Sequence, residues 1–225
     1  MPAKENREIA ASLVQRWRRF VRTQHAGAHW TRTLVLAFVV GVAAGLAAFA
    51  LAWGLHHGSE HLVGRVAGSG SADSWRFSWE LLLLPALGAV VAGLAVRLLV
   101  GRVGGQGTDA MVHAFHQDNG ELALSAPTVK ATASIATIAS GGSAGPEGPS
   151  AALGAAIGSS VGQLIGVTPR ERRTLLVAGC AAAVGAIFGC PLGGALFAAS
   201  VLYRRSEFES TSLVSAFVAS AVGYT

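Results

Sequence analysis

Charged residues are scarce in this chain, and the shortage excludes an ordinary soluble domain of the same size. Of its 225 residues only 13% are charged, 52% are hydrophobic, and the mean hydropathy is +0.49. A membrane protein with several spans is the predicted class, because soluble proteins with buried helices rarely contain so many uncharged windows in succession. A soluble protein built from buried helices is the alternative.

Cysteine is equally scarce. Cys180 and Cys190 both fall in a long apolar run, without CxxC spacing and without neighbouring candidate ligands. This excludes a disulfide framework and argues against a metal centre. Both cysteines are predicted to be small, buried packing residues.

Acidic residues are few before the first apolar run, where Glu5 and Glu8 face six basic residues. The positive-inside rule predicts a cytoplasmic N-terminus. Residues 1–29 are predicted to form a cytoplasmic tail with an amphipathic helix over Ile9–Val21 on the anionic leaflet, and a nucleic-acid patch is less favoured. No cleavable signal peptide is apparent. The six basic residues are Lys4, Arg7, Arg16, Arg18, Arg19 and Arg22.

Two uncharged runs predict the first membrane spans. Leu34–Leu55 is the first, and Trp79–Leu99 returns with Arg97 at its inner end. The Gly68–Ser74 loop between them is placed outside, and the glycine-rich loop 101–107 inside. The histidines of residues 56–61 are interpreted as a solvated helix end rather than a zinc site.

Beyond residue 125 the apolar runs are interrupted by glycine and proline, and several are too short to cross a bilayer of about 30 Å. Backbone that breaks a helix inside a membrane must line a cavity or be buried in protein, so these breaks indicate a site. Gly154, Gly158 and Gly162 form a face of small residues that allows close helix packing. The runs are Val129–Ala139, Pro149–Gly166, Leu175–Phe188, Leu192–Tyr203 and Leu213 to the end of the chain.

A lone carboxylate, Glu147, lies in the run "SGGSAGPEGPSAALGAAIG". A phosphate-binding loop is disfavoured because the lysine and the hydroxyl residue of that motif are absent. Glycine-rich helix starts at 104–108 and 145–150 are instead predicted to offer backbone N–H groups to a weakly held anion, without a full positive charge. Ionised Glu147 would compete with that anion, and the alternative is an ordinary first-turn helix acid.

Three segments resemble the CLC family of chloride channels and chloride/proton antiporters. "SAGPEGPSAALGAAIG" resembles its G-(K/R)-E-G-P signature, "RRTLLVAGCAAAVGAIFGCPLGGALF" is similar to the stretch that follows, and "GGQGTDAMVHAF" falls where the family has G-S-G-I-P-E. The resemblance implies an all-α membrane protein, with residues 30–225 as the first of two inverted repeats in a bundle of tilted and broken transmembrane helices.

The resemblance also implies a homodimer that conducts chloride through one pathway per subunit, with no catalytic residue, cofactor, metal or nucleic-acid partner. Such a protein lies in a bacterial-type inner membrane, contacts lipid, and is not an enzyme. Glu147 is implied as the gating residue. The implied anion-binding positions are Gln106, in place of a serine, with Gly107, Thr108, Gly145, Gly148 and Pro149.

Several positions depart from the family pattern. Pro146 replaces a lysine or arginine before the gate, and Asp109 is interpreted as a helix cap. Ser200 and Val201 stand where proton-coupled members carry an inner acid, which favours passive conduction while coupled exchange stays the alternative. A non-conducting membrane scaffold is a further alternative.

The family's second half is missing from the sequence. We expect it to come from a longer chain, or otherwise from a partner, because the run ending "VASAVGYT" lacks a charged flank. His113, His116 and Asp118 are interpreted as part of a short polar cytoplasmic helix rather than as a metal site.

Overall fold

The computed structural model describes residues 2–67, 79–101, 107–203 and 210–225, and for residues 2–29 the course of the backbone alone. The described part is a bundle of eight α-helices, which confirms the predicted all-α fold. The helices are α1 (Pro2–Ala67), α2 (Trp79–Leu99), α3 (Thr108–His116), α4 (Ser125–Ala139), α5 (Glu147–Ile165), α6 (Pro169–Phe188), α7 (Pro191–Leu202) and α8 (Ser210–Tyr224).

Helix α1 is longer than expected. It runs through 66 residues without a break, so the helix predicted over Ile9–Val21 and the span predicted over Leu34–Leu55 are parts of one element. No proline interrupts it after Pro2, and single glycines do not end a helix. The histidines at 56, 57 and 61 therefore lie within the helix rather than at its end. The proposed amphipathic face of residues 9–21 and the Gly68–Ser74 loop lie outside the described residues.

The other predicted runs are confirmed as helices, with α2 matching its predicted bounds. The shorter helices begin one to six residues earlier than the apolar runs, because the starts are set by polar or proline residues. At α6, Thr168 and Glu171 form a capping box, in which the Thr168 side chain accepts from the Glu171 N–H and Glu171 Oε2 accepts from the Thr168 N–H at 3.0 Å.

Small residues fill the interior of the bundle, while large apolar side chains face outward. Helix α6 is packed against α1, α5, α7 and α8, and its buried surface is mostly alanine, glycine and valine. Phe49 on α1 is 68% exposed and Leu98 on α2 is 72% exposed. In the described residues, Trp30–Gly64 and Leu82–Leu99 are long and apolar enough to cross a membrane. This inverted distribution is typical of helices surrounded by lipid.

The predicted close-packing face of α5 is confirmed. A methyl group added at Gly154 would overlap the carbonyl oxygen of Gly179, and one added at Gly158 would overlap that of Leu175. Gly162 packs on the aliphatic part of Arg172 and on Val167. The backbones of α5 and α6 are therefore in direct contact, which only glycine permits at these crossings.

The two cysteines differ, and the prediction for one of them is wrong. Cys180 is fully buried within α6, as predicted. Cys190 is exposed, because it is the residue between the left-handed Gly189 that ends α6 and the Pro191 that begins α7. Because the chain leaves helical geometry between α6 and α7, this residue lies outside the packed interior.

A buried serine fixes the turn between α3 and α4. Ser159 Oγ on α5 donates to the carbonyl oxygen of Gly120 at 2.6 Å and accepts from Leu122 N at 2.8 Å and Gln163 Nε2 at 3.0 Å. The turn itself uses positive φ angles at Asn119 (54°) and Gly120 (78°), as an Asn-Gly pair favours. One hydroxyl thus satisfies two backbone groups of the turn.

Replacing Ser159 with alanine is expected to destabilise the bundle by about 2 kcal/mol, since it leaves the buried Leu122 N–H without its acceptor. Proteolysis between α3 and α4 and the midpoint of unfolding in a detergent titration would both report the change. Ser200→Ala is the control, because the Ser200 hydroxyl is exposed and bonds only the Phe197 carbonyl of its own helix. Equal stability of the two variants would contradict the assignment.

Candidate functional site

Two glycine-rich helix starts define the candidate site. Helix α3 begins after Gly107, whose φ of 61° and ψ of −120° suit glycine best. Helix α5 begins at Glu147 after Pro146, without a side-chain cap. Both helices therefore begin with backbone N–H groups that no side chain caps, and these groups carry partial positive charge.

Both starts reach one cavity of about 920 Å³, where α2 and α4 approach α3 and α5. Gly107 lines it from α3, and Gly148 and Pro149 line it from α5. Ser134 and Thr137 of α4 also line it, with hydroxyls that donate to carbonyl oxygens of their own helix. The cavity is thus lined by polar backbone and side-chain groups from separate parts of the chain.

Two cationic side chains line the same cavity, and neither was among the residues predicted for the site. Arg97 is exposed at the end of α2, and Lys130 is half-buried on α4. The uncharged donors expected at the two helix starts are therefore accompanied in this cavity by two full positive charges from other helices. A signal was present in the sequence, because Lys130 is the single charged residue between Glu121 and Glu147.

Glu147 is the first residue of α5 and is exposed in this chain. Its carboxylate turns back over the Gly145 backbone, where an added methyl group would overlap it. Within the described residues the structure assigns this carboxylate no hydrogen bond or ion pair. Glu147 does not line the cavity itself, although the next two residues of the chain do.

The remaining predicted positions are not brought into the cavity lining. Thr108 is half-buried as the first residue of α3, and Gly145 is exposed in the loop before α5. Gln106 lies outside the described residues. Asp109 is not the cap of α3, since the cap position is Gly107 and no side-chain capping bond forms.

A second cavity of about 590 Å³ lies between α3 and the end of α7. It is lined by Asp109, His113 and His116 on one side and by Ser200 and Val201 on the other. His113 Nδ1 is 2.9 Å from Asp118 Oδ2, and both side chains are exposed. Titratable groups therefore face Ser200 and Val201, the two positions where the family pattern would place an inner acid.

Histidines also cluster on α1, where His56 Nε2 lies 3.3 Å from Glu60 Oε1 and His57 Nδ1 lies 3.1 Å from the Trp53 carbonyl oxygen. Throughout the part of the chain that the structure describes, no three histidine, cysteine or acidic side chains are grouped so as to hold a metal ion.

Curated relatives match most of this chain. It is 35% identical over 202 residues to the voltage-gated ClC-type chloride channel ClcB of Shigella flexneri, covering 84% of this chain and 46% of that protein. It is 30% identical over 186 residues to the H(+)/Cl(−) exchange transporter ClcA of Klebsiella pneumoniae, covering 82% and 39%. The chain therefore spans less than half the length of these relatives.

The fold and the family agree with these relatives. The crystal structure of a slow cyanobacterial Cl−/H+ antiporter superposes with a TM-score of 0.67 at 20% identity, over 86% of this chain and 45% of that one. The fold is accordingly the all-α CLC type. The family model for the voltage gated chloride channel matches residues 87–225. The chain therefore belongs to the voltage gated chloride channel family, the CLC family whose motifs it resembles.

Proposed function

We propose that this chain supplies one half of a chloride pathway through a membrane. The observation that carries the proposal is the convergence of the starts of α3 and α5 on one cavity that also contains Lys130. Backbone N–H groups at helix starts bind anions without holding them as tightly as a buried ion pair would. A permeating ion must be released as well as bound, so dispersed donors suit this task.

The two cations attract an anion to this cavity rather than trap it. Arg97 is exposed and Lys130 is half-buried, so water screens both charges in part. A positive field in a cleft raises the local concentration of anions and speeds their arrival. Gly107 and Gly148 then provide the close backbone approach, and Pro149, which has no N–H to donate, shapes the first turn of α5.

Glu147 is proposed as the gate, with Gly145 giving its side chain room to move. In the present position the carboxylate lies over Gly145, one residue before the cavity lining begins. The ionised carboxylate can compete with chloride for the N–H groups at the start of α5, and the protonated form loses that advantage. Gln106 and Thr108 are proposed as further contributors from the start of α3.

The pathway requires a second half, since the chain spans between 39% and 46% of the relatives described above. We propose that residues 1–29 form a cytoplasmic segment and that residues 30–225 form the first half of the membrane domain. A homodimer of the complete protein in a bacterial inner membrane is part of the same proposal. No enzymatic step is invoked.

Passive conduction is the preferred mechanism, because Ser200 and Val201 cannot relay a proton as a carboxylate can. One observation favours proton-coupled exchange as the second candidate. His113, His116 and Asp109 line the cavity beside Ser200 and Val201, and histidine changes its charge near neutral pH. The relatives include one protein named as a channel and one named as an exchanger.

Proteoliposomes that contain the chain together with its second half, placed under a chloride gradient, distinguish the two. We expect chloride efflux that dissipates the gradient without a matching change in internal pH. Vesicles without protein set the baseline leak. Movement of protons against their own gradient, in a fixed ratio to chloride, would overturn passive conduction in favour of exchange. Absence of chloride flux would overturn both mechanisms.

A further inference from the structure

A third cavity, of about 200 Å³, lies where the ends of α3 and α7 meet the starts of α6 and α8. None of its lining residues borders the cavity that is proposed to carry chloride. Its lining combines basic and hydroxyl side chains with the aromatic rings of Phe115 and Tyr203. The lining residues are Phe115, His116, Arg170, Arg173, Thr174, Tyr203 and Ser212.

The charged side chains of the described lining are of one sign. Arg170 and Arg173 are permanently cationic, His116 becomes so on protonation, and the described lining contains no carboxylate. Arg173 donates through one terminal nitrogen to Asn119 Oδ1 at 3.2 Å. Its Nε is buried and has no hydrogen-bond partner among the described residues. A buried donor of this kind is normally satisfied, so its state points to a ligand.

Helix starts complete the donor set, and a pair of hydroxyls borders it. Thr174 Oγ1 and Ser212 Oγ are both buried and lie 3.1 Å apart, joining α6 to α8, and Thr174 Oγ1 donates to the Arg170 carbonyl oxygen at 3.2 Å. Arg170 and Ser212 belong to the first turns of those two helices, where the backbone carries partial positive charge. Arginine and backbone donors around a small volume suit a tetrahedral oxyanion, which accepts several hydrogen bonds at once.

The depth of this cavity in the bundle is set by α1 and α8. Gly41 contacts Ala219 and Gly45 contacts Gly223, so the two helices run in the same direction. Ser212, at the beginning of α8, therefore lies beside the stretch of α1 that follows Arg32. That stretch is the start of the apolar span Trp30–Gly64. The cavity is accordingly at a membrane boundary, at the depth of lipid headgroups.

We propose that this cavity binds a phosphate group, delivered either by free phosphate or by the headgroup of an anionic lipid. The site is independent of the chloride pathway and ties together four helices. A bound phosphate would accept from the arginines and from N–H groups at the starts of α6 and α8, and would hold the start of α8 against α3, α6 and α7.

Two titrations test the proposal on the purified 225-residue chain. Calorimetry with inorganic phosphate at constant ionic strength tests the free anion, and native mass spectrometry with phosphatidylglycerol against phosphatidylcholine tests the lipid. We expect saturable binding of at least one probe, weakened about tenfold by Arg170→Gln through loss of a charged hydrogen bond. Arg170 is exposed, so the variant should fold.

Arg32→Gln is the matched control, since Arg32 lies on the same end of the bundle outside the cavity and should leave binding unchanged. Thr174→Val and Ser212→Ala break the hydroxyl contact that joins α6 to α8 without changing the charge, and should each weaken binding several-fold because the cavity wall is no longer held together. Binding of phosphate alone or of phosphatidylglycerol alone supports the site and identifies the source. Absence of saturable binding by both probes, or equal binding by wild type and all three cavity variants, would overturn the proposal.

Discussion

Gly158→Ala is expected to destabilise the bundle by roughly 3 kcal/mol, at the upper end of the usual overpacking cost. The added methyl group would overlap the Leu175 carbonyl oxygen and lie 2.7 Å from the Leu175 carbonyl carbon and 3.2 Å from Leu176 Cα. All three atoms are backbone of α6, so no side-chain rotation relieves the clash. The helices must separate, and the Gly154–Gly179 crossing one turn away opens with them.

The measurement is the midpoint of unfolding when the purified chain is titrated from mild detergent into sodium dodecyl sulfate, followed by circular dichroism. Gly64→Ala is the matched control, because no atom of the described residues that could clash lies within 4 Å of a methyl group at that position of α1. Alanine is the better helix former, so the control should be unchanged or more stable by up to about 1 kcal/mol. A Gly158→Ala variant as stable as Gly64→Ala would show that α5 and α6 do not meet through this glycine face.

The local sequence contains much of this fold. Helix α2 could be placed because Trp79 and Arg97 mark the ends of an uncharged run, and the four-residue glycine spacing on α5 marked its packing face. Helix starts were predicted less well, although Thr168 and Glu171 carry a capping-box pattern that identifies the first turn of α6. The Asn119–Gly120 pair was likewise a readable turn signal.

Contacts between distant parts of the chain could not be predicted from the sequence. Ser159 bonds backbone groups 37 and 39 residues away, and Arg172 forms a 2.7 Å ion pair with Glu121 and reaches the Asn119 carbonyl oxygen, 53 residues away. No periodicity or local motif specifies such partners. The same limitation hid Arg97 at the cavity, since α2 is distant in sequence from Gly148, whereas Lys130 lies on the helix before α5 and its isolated charge was a signal in the sequence.

For the candidate site, the sequence predicted which helix starts approach each other but not how each side chain is directed. Gly107, Gly148 and Pro149 line one cavity, whereas Glu147 lies beside it, turned over Gly145. The family motif identifies the candidate residue, but the direction of its side chain depends on the loop before α5. The gating role of Glu147 therefore stays a prediction that a transport measurement must test.

Glu147→Gln is expected to raise chloride flux at neutral pH about tenfold, equivalent to roughly 1.4 kcal/mol of barrier. Glutamine has nearly the same shape as glutamate but cannot ionise, so it cannot compete as an anion for the N–H groups at the start of α5. In the parent protein, acid pH should produce the same increase by protonating the carboxylate. The variant should therefore lose the pH dependence of flux, measured as chloride efflux from proteoliposomes that contain both halves.

Glu60→Gln provides the control, because Glu60 is also an exposed helical acid, paired with His56 on α1, and does not line the cavity. Its flux and pH profile should match those of the parent protein. If Glu147→Gln also matched the parent in both respects while the protein conducted chloride, the gate would have to be another group. If neither the parent protein nor Glu147→Gln conducted chloride, the result would favour the alternative of a membrane scaffold. In a scaffold the glycine faces of α5 and α6 serve packing alone. Because glutamine preserves the size of the side chain, a selective change in Glu147→Gln would identify the charge of Glu147 as the controlling property.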